Sequence, residues 1–244
     1  AASPRPAVGA PPCQGQEPAA SSADRWAVPS LGASEHYGSG VGYWDQRYAK
    51  DQLPFEWLRH HEHLVELIEE ATGGRRDWRI LEAGCGNSEL GEKMSDTGYT
   101  DITSIDSSPV AIESMAAKNK SRPRMRWLVM DATSMDFGQC CFDCVIDKSL
   151  TDTLSCLPLK ERKQALRAYV AEAARVLSPA GVFLCISLAN PAERLCYLQV
   201  PAFDEVEVRT LPPTRANGSE AFAYICRKRG PPSSTGPTLL DEMD

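Results

Sequence analysis

The sequence predicts an α/β fold: a doubly wound, mostly parallel seven-stranded sheet with helices on both faces. Three observations carry it. Short apolar runs of strand length alternate with segments whose apolar residues recur every three or four positions, and that alternation makes strands of one parallel sheet joined by helical crossovers. The first run, Arg79-Ile80-Leu81-Glu82-Ala83, ends in Gly84-Cys85-Gly86 and an acidic, helix-prone stretch, the kind of junction where nucleotide-like ligands sit. The second run, Asp101-Ile102-Thr103-Ser104-Ile105-Asp106, ends in a carboxylate about twenty residues after Gly86, where an acid is placed to accept hydrogen bonds from a ribose.

The bulk properties narrow the class. At 244 residues and 42% hydrophobic, the chain can bury a sizeable core. A net charge of −7 and a pI near 5.2 argue against general binding to nucleic acid or anionic membranes and suit a basic partner. No apolar run reaches the roughly 18 residues of a membrane-spanning helix. The nine cysteines are odd in number and lack framework spacing, and several fall in apolar runs. They read as free thiols of a reducing compartment, which places the protein in the cytoplasm.

Taken in order, residues 1–35 are rich in Ala, Pro, Ser and Gly and are expected to form a disordered arm without the apolar stretch of a secretory signal. The ordered domain is expected over 36–229. Its first helix carries Trp44 and Tyr48 on one face at i, i+4. With Phe55 and Trp57 these aromatics suggest a lid over a ligand. Leu58 to Ala71 reads as an amphipathic helix through Leu64, Leu67 and Ile68, ended by Gly73-Gly74. His60, His61 and His63 on that helix read as a solvated face, since only His60 and His63 would point the same way. After the first strand comes a short helix over Glu89–Thr97, then strand two. Ser108-Pro109 opens the next helix as N-cap and first residue, with Ile112 and Met115 facing inward. Arg126 to Met130 is strand three, ending at Asp131-Ala132. Cys141 to Ile146 is strand four, closing at Asp147-Lys148. There Cys141 and Cys144 would face opposite sides of the sheet, so their C-x-x-C spacing predicts neither a redox pair nor a metal site. Leu166, Tyr169, Val170, Ala173, Val176 and Leu177 mark a long helix, stopped by Pro179-Ala180-Gly181. Val182 to Leu188 is strand five. Phe203–Val208 and Ala221–Ile225 form a closing hairpin-like pair, and the tail over 230–244 is expected to be disordered.

The carboxyl ends of parallel strands converge at the topological switch point, so the strand ends spell out a site: Gly84 and Gly86, Asp106 and Ser107, Asp131 and Ala132, Asp147 and Lys148. A dinucleotide fingerprint would place a third glycine at position 89. The residue there is Glu89, whose carboxylate would repel a pyrophosphate, so a nucleoside ligand without phosphates is expected. S-adenosylmethionine is such a ligand. Asp106 would accept from its ribose hydroxyls, Asp131 from the adenine amino group beside the Ala132 backbone, and the Gly84–Gly86 turn would lie under the methionine moiety.

Several blocks, Tyr43-Trp44-Asp45-Gln46-Arg47-Tyr48, Phe55-Glu56-Trp57, Gly84-Cys85-Gly86-Asn87-Ser88, Met130-Asp131, Phe142-Asp143 and Asp147-Lys148, make the chain resemble a Rossmann-like class I S-adenosylmethionine-dependent methyltransferase over residues 37–228. More narrowly, it resembles the methyltransferase-like enzymes that methylate lysines of translation elongation factor 1-alpha. The resemblance implies cofactor contacts from Trp44, Tyr48, Trp57, Gly84, Asp106, Ser107, Asp131, Ala132 and Lys148, S-adenosylhomocysteine as product, and a protein-lysine acceptor; the acidic charge leads to the expectation that neither nucleic acid nor membrane is a partner. One departure stands out. The family usually continues after Asp-Lys as Gly-Thr-Leu-Asp-Ala, whereas this chain reads Ser149-Leu150-Thr151-Asp152-Thr153.

The expected chemistry is in-line displacement by a neutral amine, which asks mainly for positioning and needs no metal. Asp147 and Asp152 are the candidates for holding the cationic side chain of the acceptor. Asp152 serves equally as a helix cap. Two other readings stay open: a small-molecule or N-terminal-amine methyltransferase, and an inactive S-adenosylmethionine-binding scaffold.

Overall fold

A computed structural model describes residues 40–51, 53–214 and 218–230 of the chain. Within them seven strands form one sheet: β1 (Arg79–Ala83), β2 (Asp101–Asp106), β3 (Met125–Val129), β4 (Phe142–Lys148), β5 (Leu177–Ser187), β6 (Phe203–Leu211) and β7 (Ala221–Lys228). Their order is β3-β2-β1-β4-β5-β7-β6. Strands β1 to β5 pair in parallel, and β7 runs antiparallel between β5 and β6. The seven-stranded, mostly parallel sheet matches the fold class that the sequence predicts.

Among the described residues seven α-helices accompany the sheet: α1 (Val41–Lys50), α2 (Val65–Thr72), α3 (Leu90–Asp96), α4 (Pro109–Lys118), α5 (Leu150–Ser155), α6 (Leu159–Val176) and α7 (Pro191–Leu198). Alternation along the strands separates two cores. Ile80, Ile102, Ile146 and Leu184 meet Leu67 and Ile68 of α2 and Leu90 and Met94 of α3. Leu81, Ile105, Val145 and Phe183 meet Tyr169, Val170 and Ala173 of α6 and Leu198 of α7. Both faces are therefore covered, as a parallel sheet requires. Each such side chain contributes about 1.5–3 kcal/mol, so a one-residue slip of a strand would exchange the two cores at a large cost. From neighbouring β1 and β4 the chain winds toward opposite edges of the sheet, which opens a crevice at their carboxyl ends.

The structure departs from the sequence reading in the connections. Two short helices, α5 and α7, are additional. The α7 signal lay in plain view: Asn190, Pro191 and Glu193 form a capping box with proline at the first turn. The long helix α6 ends at Val176, and Leu177 already belongs to β5. Pro179-Ala180-Gly181 is thus a kink inside a strand, where a Cβ on Gly181 would sit 2.9 Å from the Ser178 carbonyl oxygen. Strand β4 runs on to include Asp147 and Lys148, while Cys141 stands just ahead of it. The helix expected over Leu58–Ala71 starts only at Val65, after a 3-10 turn over His61–His63; ahead of it Leu53 and Glu56 bond to Asn87, Ser88 and Glu89 beside the glycine turn, and Arg59 to the Leu211 and Pro212 carbonyls. As expected, Ser108 caps α4, its Oγ accepting from the Ala111 N–H at 3.2 Å. Residues 1–35 and 231–244, read from sequence as disordered, lie outside the described residues. No described helix is long and apolar enough to cross a membrane.

Candidate active site

A cavity of about 260 Å³ opens at the switch point. All ten residues expected to contact the cofactor line it: Trp44, Tyr48, Trp57, Gly84, Gly86, Asp106, Ser107, Asp131, Ala132 and Lys148. They come from the ends of β1, β2 and β4, the turn after β3, helix α1 and the segment 53–59.

The glycine turn is shaped by two close approaches. Gly84 and Gly86 have φ of +66° and +51°, backbone that L side chains rarely adopt. A Cβ on Gly86 would lie 2.5 Å from the Tyr48 hydroxyl, and one on Gly84 would lie 3.0 Å from Leu150 of α5. The turn is therefore closely approached by a lid residue on one side and by α5 on the other. Asp106 holds the turn from β2, accepting from the Gly86 N–H and the Ser108 N–H, both at 2.9 Å. Burial pushes its carboxyl above the usual value, against those two bonds. Each carboxylate oxygen has a second lone pair, so the group still offers acceptor capacity toward the cavity. Asp131 takes the N–H and hydroxyl of Thr133, both at 2.8 Å, on one oxygen.

The aromatic wall is an ordered array. Trp44 stacks on Tyr48 with ring centroids 5.9 Å apart and meets Trp57 edge-on at 6.4 Å. The Arg47 guanidinium lies over both Phe55 and Trp57, a cation–π arrangement. The wall is fastened by a residue that sequence reasoning quoted but gave no role, Glu56. Its buried carboxylate accepts from Lys148 Nζ at 2.6 Å, from Ser88 Oγ at 3.0 Å and from the Glu89 N–H at 2.5 Å. Lys148 Nζ also donates to the Trp57 carbonyl oxygen at 3.2 Å. Asn87 donates to the Leu53 carbonyl oxygen at 2.6 Å. The only available signal was chemical, a lone acid in an aromatic block and a lone lysine at a strand end.

Two expectations need correction. Glu89 does not line the cavity. Its side chain pairs with Lys118 at 2.7 Å, which lowers its pKa; the acids that do line the cavity are Glu82, Asp106 and Asp131. Asp147 and Asp152, expected to hold a cationic acceptor, do not line it either. Asp147 is wholly buried and accepts from the N–H groups of Leu150 at 2.7 Å and Thr151 at 3.2 Å. Burial, then the neighbouring Asp152, push it up to about 7, opposed by Arg194. Asp152 accepts from Arg194 at 2.9 Å, Ser187 Oγ at 2.5 Å and the Leu188 N–H at 3.0 Å. Both carboxylates are spent on α5, because a helix start and a buried arginine compete for them more closely than a ligand in the cavity can. His60, His61 and His63 form no metal group, and none is found among the described residues.

The donor set tests the expected ligand. Of the described residues lining the cavity, three are acidic, Glu82, Asp106 and Asp131, and the single basic one, Lys148, is already paired with Glu56. Burial pushes Glu82 up to about 7, opposed by the hydrogen bond from Ser104. Such a set serves hydroxyl and amino donors and a cation, against an aromatic wall. It offers no arginine to a phosphate. A ligand with ribose, amino groups and a sulfonium fits. Leu150 and Leu154 of α5, Leu157 in the turn after it and Ala165 of α6 also line the cavity, an uncharged wall.

Comparison with known proteins agrees with this geometry. Residues 80–181 match the family described as a methyltransferase domain. A Mus musculus protein named EEF1A lysine methyltransferase 4 is 33% identical over 196 residues, covering 77% of this chain and 75% of that protein. The eEF1A lysine and N-terminal methyltransferase of Bos taurus is 38% identical over 160 residues, which is 65% of this chain but 22% of that protein. The chain thus spans only a small part of the length of such relatives. Among solved structures, the N-methyltransferase NodS from Bradyrhizobium japonicum WM9, in complex with S-adenosyl-l-homocysteine, superposes with a TM-score of 0.59. It is 16% identical and covers 76% of this chain and 98% of that one. The cyclase SpnF gives 0.57 at 17% identity, covering 79% and 97%. At these identities the likeness shows the fold alone. Identity of 33% across 75% of a whole relative reaches further than fold, and the chain belongs to the S-adenosylmethionine-dependent methyltransferases, in the family that includes EEF1A lysine methyltransferase 4.

Proposed function

We propose that this chain methylates the side-chain amine of a lysine in a protein, that translation elongation factor 1-alpha is the acceptor, and that the reaction takes place in the cytoplasm. One observation carries the acceptor class: the wall of Leu150, Leu154, Leu157 and Ala165 is apolar and uncharged. A long aliphatic stem can lie along it, and because Asp147 and Asp152 on that side do not line the cavity, no carboxylate of that wall meets the amine to raise its pKa against losing its proton. The names of the relatives, which specify eEF1A lysine methylation, support the choice of acceptor. The free thiols of the described cysteines support the compartment. We take 36–229 as the catalytic domain.

S-adenosylmethionine, when bound, supplies an electrophilic methyl group on a sulfonium. The chain's own residues orient and enclose. Asp106, Ser107, Asp131 and Ala132 would hold the nucleoside end. Gly84 and Gly86, bare of side chains of their own, let Leu150 and Tyr48 close on the floor. Lys148, held by Glu56 and the Trp57 carbonyl, closes the lid segment, and Trp44, Tyr48 and Trp57 exclude water. The amine proton leaves to solvent at the mouth, so the rate comes from positioning rather than from a strong base.

A second reading, methylation of a protein N-terminal amine, is favoured by the names of the longer relatives. Incubating the full chain with labelled S-adenosylmethionine and recombinant elongation factor 1-alpha, followed by mass spectrometry of the labelled peptide, separates the two. Label on a lysine side chain is expected. Label on the N-terminal amine would favour the second reading, and S-adenosylhomocysteine binding without transfer to any protein would leave a scaffold.

A further inference from the structure

The acceptor wall is held from behind by a side chain that never touches the cavity. Arg194 of α7 is only 1% exposed, which for a residue with a fixed charge is costly unless it is fully partnered. Its guanidinium donates to Asp152 Oδ1 at 2.9 Å, to Ser187 Oγ at 3.1 Å and to Ser155 Oγ at 3.3 Å. Asp152 and Ser155 belong to α5, while Ser187 ends β5. The guanidinium thus joins the helix forming the acceptor wall to the sheet.

Asp152 extends that grip to the front of α5. Its Oδ2 accepts from Ser149 Oγ at 3.3 Å and from the Leu188 N–H at 3.0 Å. Ser149 has φ of +78°, a left-handed backbone that a non-glycine residue keeps only when its surroundings over-determine it. It lines the cavity, as do Leu150, Thr153 and Leu154 on the same short helix. A helix of six residues is too short to hold its own shape. Its position over Gly84 must come from these anchors and from Asp147 at its start.

We propose that Arg194 is a positioning residue for methyl transfer: through Asp152, Ser155 and Ser187 it sets where α5 stands, and so where the acceptor amine meets the methyl donor. This deepens the lysine-methyltransferase reading above and rests on it for the identity of the acceptor. Arg194 does not line the cavity, so its removal affects the acceptor side selectively.

The test uses the full chain carrying Arg194→Met, with Arg194→Lys as the conservative variant and Ser187→Ala as a milder one that leaves the charge pair in place. Three quantities are read: S-adenosylhomocysteine affinity by calorimetry, KM and kcat with recombinant elongation factor 1-alpha, and hydrogen exchange of the amides over 149–155. The expected result for Arg194→Met is affinity within about twofold of wild type, faster exchange over 149–155, and an acceptor kcat/KM lower by about tenfold or more, as misplacement of a reacting group produces. Arg194→Lys should recover part of that loss. If Arg194→Met does not fold, the same pattern in reduced size is expected of Ser187→Ala. Unchanged protection over 149–155 would overturn the proposal, and so would cofactor affinity falling in step with transfer. If the wild-type chain transfers no methyl group to the factor, the acceptor reading fails, and the exchange and affinity arms still decide whether Arg194 holds the wall independently of the cofactor side.

Discussion

The two walls of the cavity are built by different means. The cofactor side is made where strands end. Glycines, Asp106 and Asp131 reach it within three residues of the ends of β1, β2 and β3, and their bonds are mostly local, such as Asp106 to Ser108 and Asp131 to Thr133. The acceptor side is built mainly on the short helix α5, with Leu157 and Ala165 beside it, and α5 is positioned by Asp147 from the strand before it and by Arg194 from α7. The difference teaches that a binding wall fixed by strand ends is robust and readable, whereas a wall hung on distant polar anchors can be retuned without disturbing the other. Even the glycine turn divides along this line, since Gly86 is closed by the lid and Gly84 by α5.

The comparison can be broken most severely at the lid. Glu56→Ala removes the partner of Lys148, and the two side chains are 8% and 5% exposed. Deleting one member of a buried ion pair costs about 3–5 kcal/mol. Thermal melting should drop by many degrees and S-adenosylhomocysteine affinity should fall with it; an unchanged melting temperature would show that the strap is not held by this pair. A somewhat smaller effect is expected of Gly86→Ala, about 2–4 kcal/mol from left-handed backbone and the clash with Tyr48. The loss should appear in cofactor affinity by calorimetry. Retained affinity would mean that the lid opens at little cost.

The gentlest test is a titration, and it samples both walls. Glu82 on the cofactor side and Asp147 beneath the acceptor wall are each held near 7 by burial, above their ordinary values. The folded state therefore binds more protons than the unfolded one. The stability these groups provide is fully present below the unfolded pKa, near 4, and is lost as pH rises through about 7. Melting temperature should decline over that range. Glu82→Gln and Asp147→Asn should each flatten the decline, and a slope unchanged in both variants would show that neither acid is proton-loaded in the folded chain.

Much of this was legible in advance because it is local. The strand spacing, the Ser108 cap, the Gly84–Gly86 turn and the acid ending β2 follow from period, backbone freedom and hydrogen-bonding capacity within a few residues. The aromatic wall was legible as a set of residues, since Trp44 and Tyr48 share a helix face. Glu89 misled for the same reason. It sits at the position where a local motif has its third glycine, but Lys118, 29 residues on, draws it away, and the acids facing the cavity are Glu82, Asp106 and Asp131. Asp147 and Asp152 were recognised as special, yet their role was assigned to the wrong partner. A carboxylate in sequence does not announce whether it faces a cavity or a buried arginine.

The sequence by itself determined the succession of the seven strands, the ends of the strands that make the cofactor wall, and the kind of ligand those ends suit. Only the tertiary structure decided which carboxylate fastens the lid, which way Glu89 turns, and what holds α5 over Gly84. The physical reason is that periodicity and turn chemistry act between near neighbours in the chain, while the pairing of buried charges depends on which distant residues the folded sheet brings within hydrogen-bond reach.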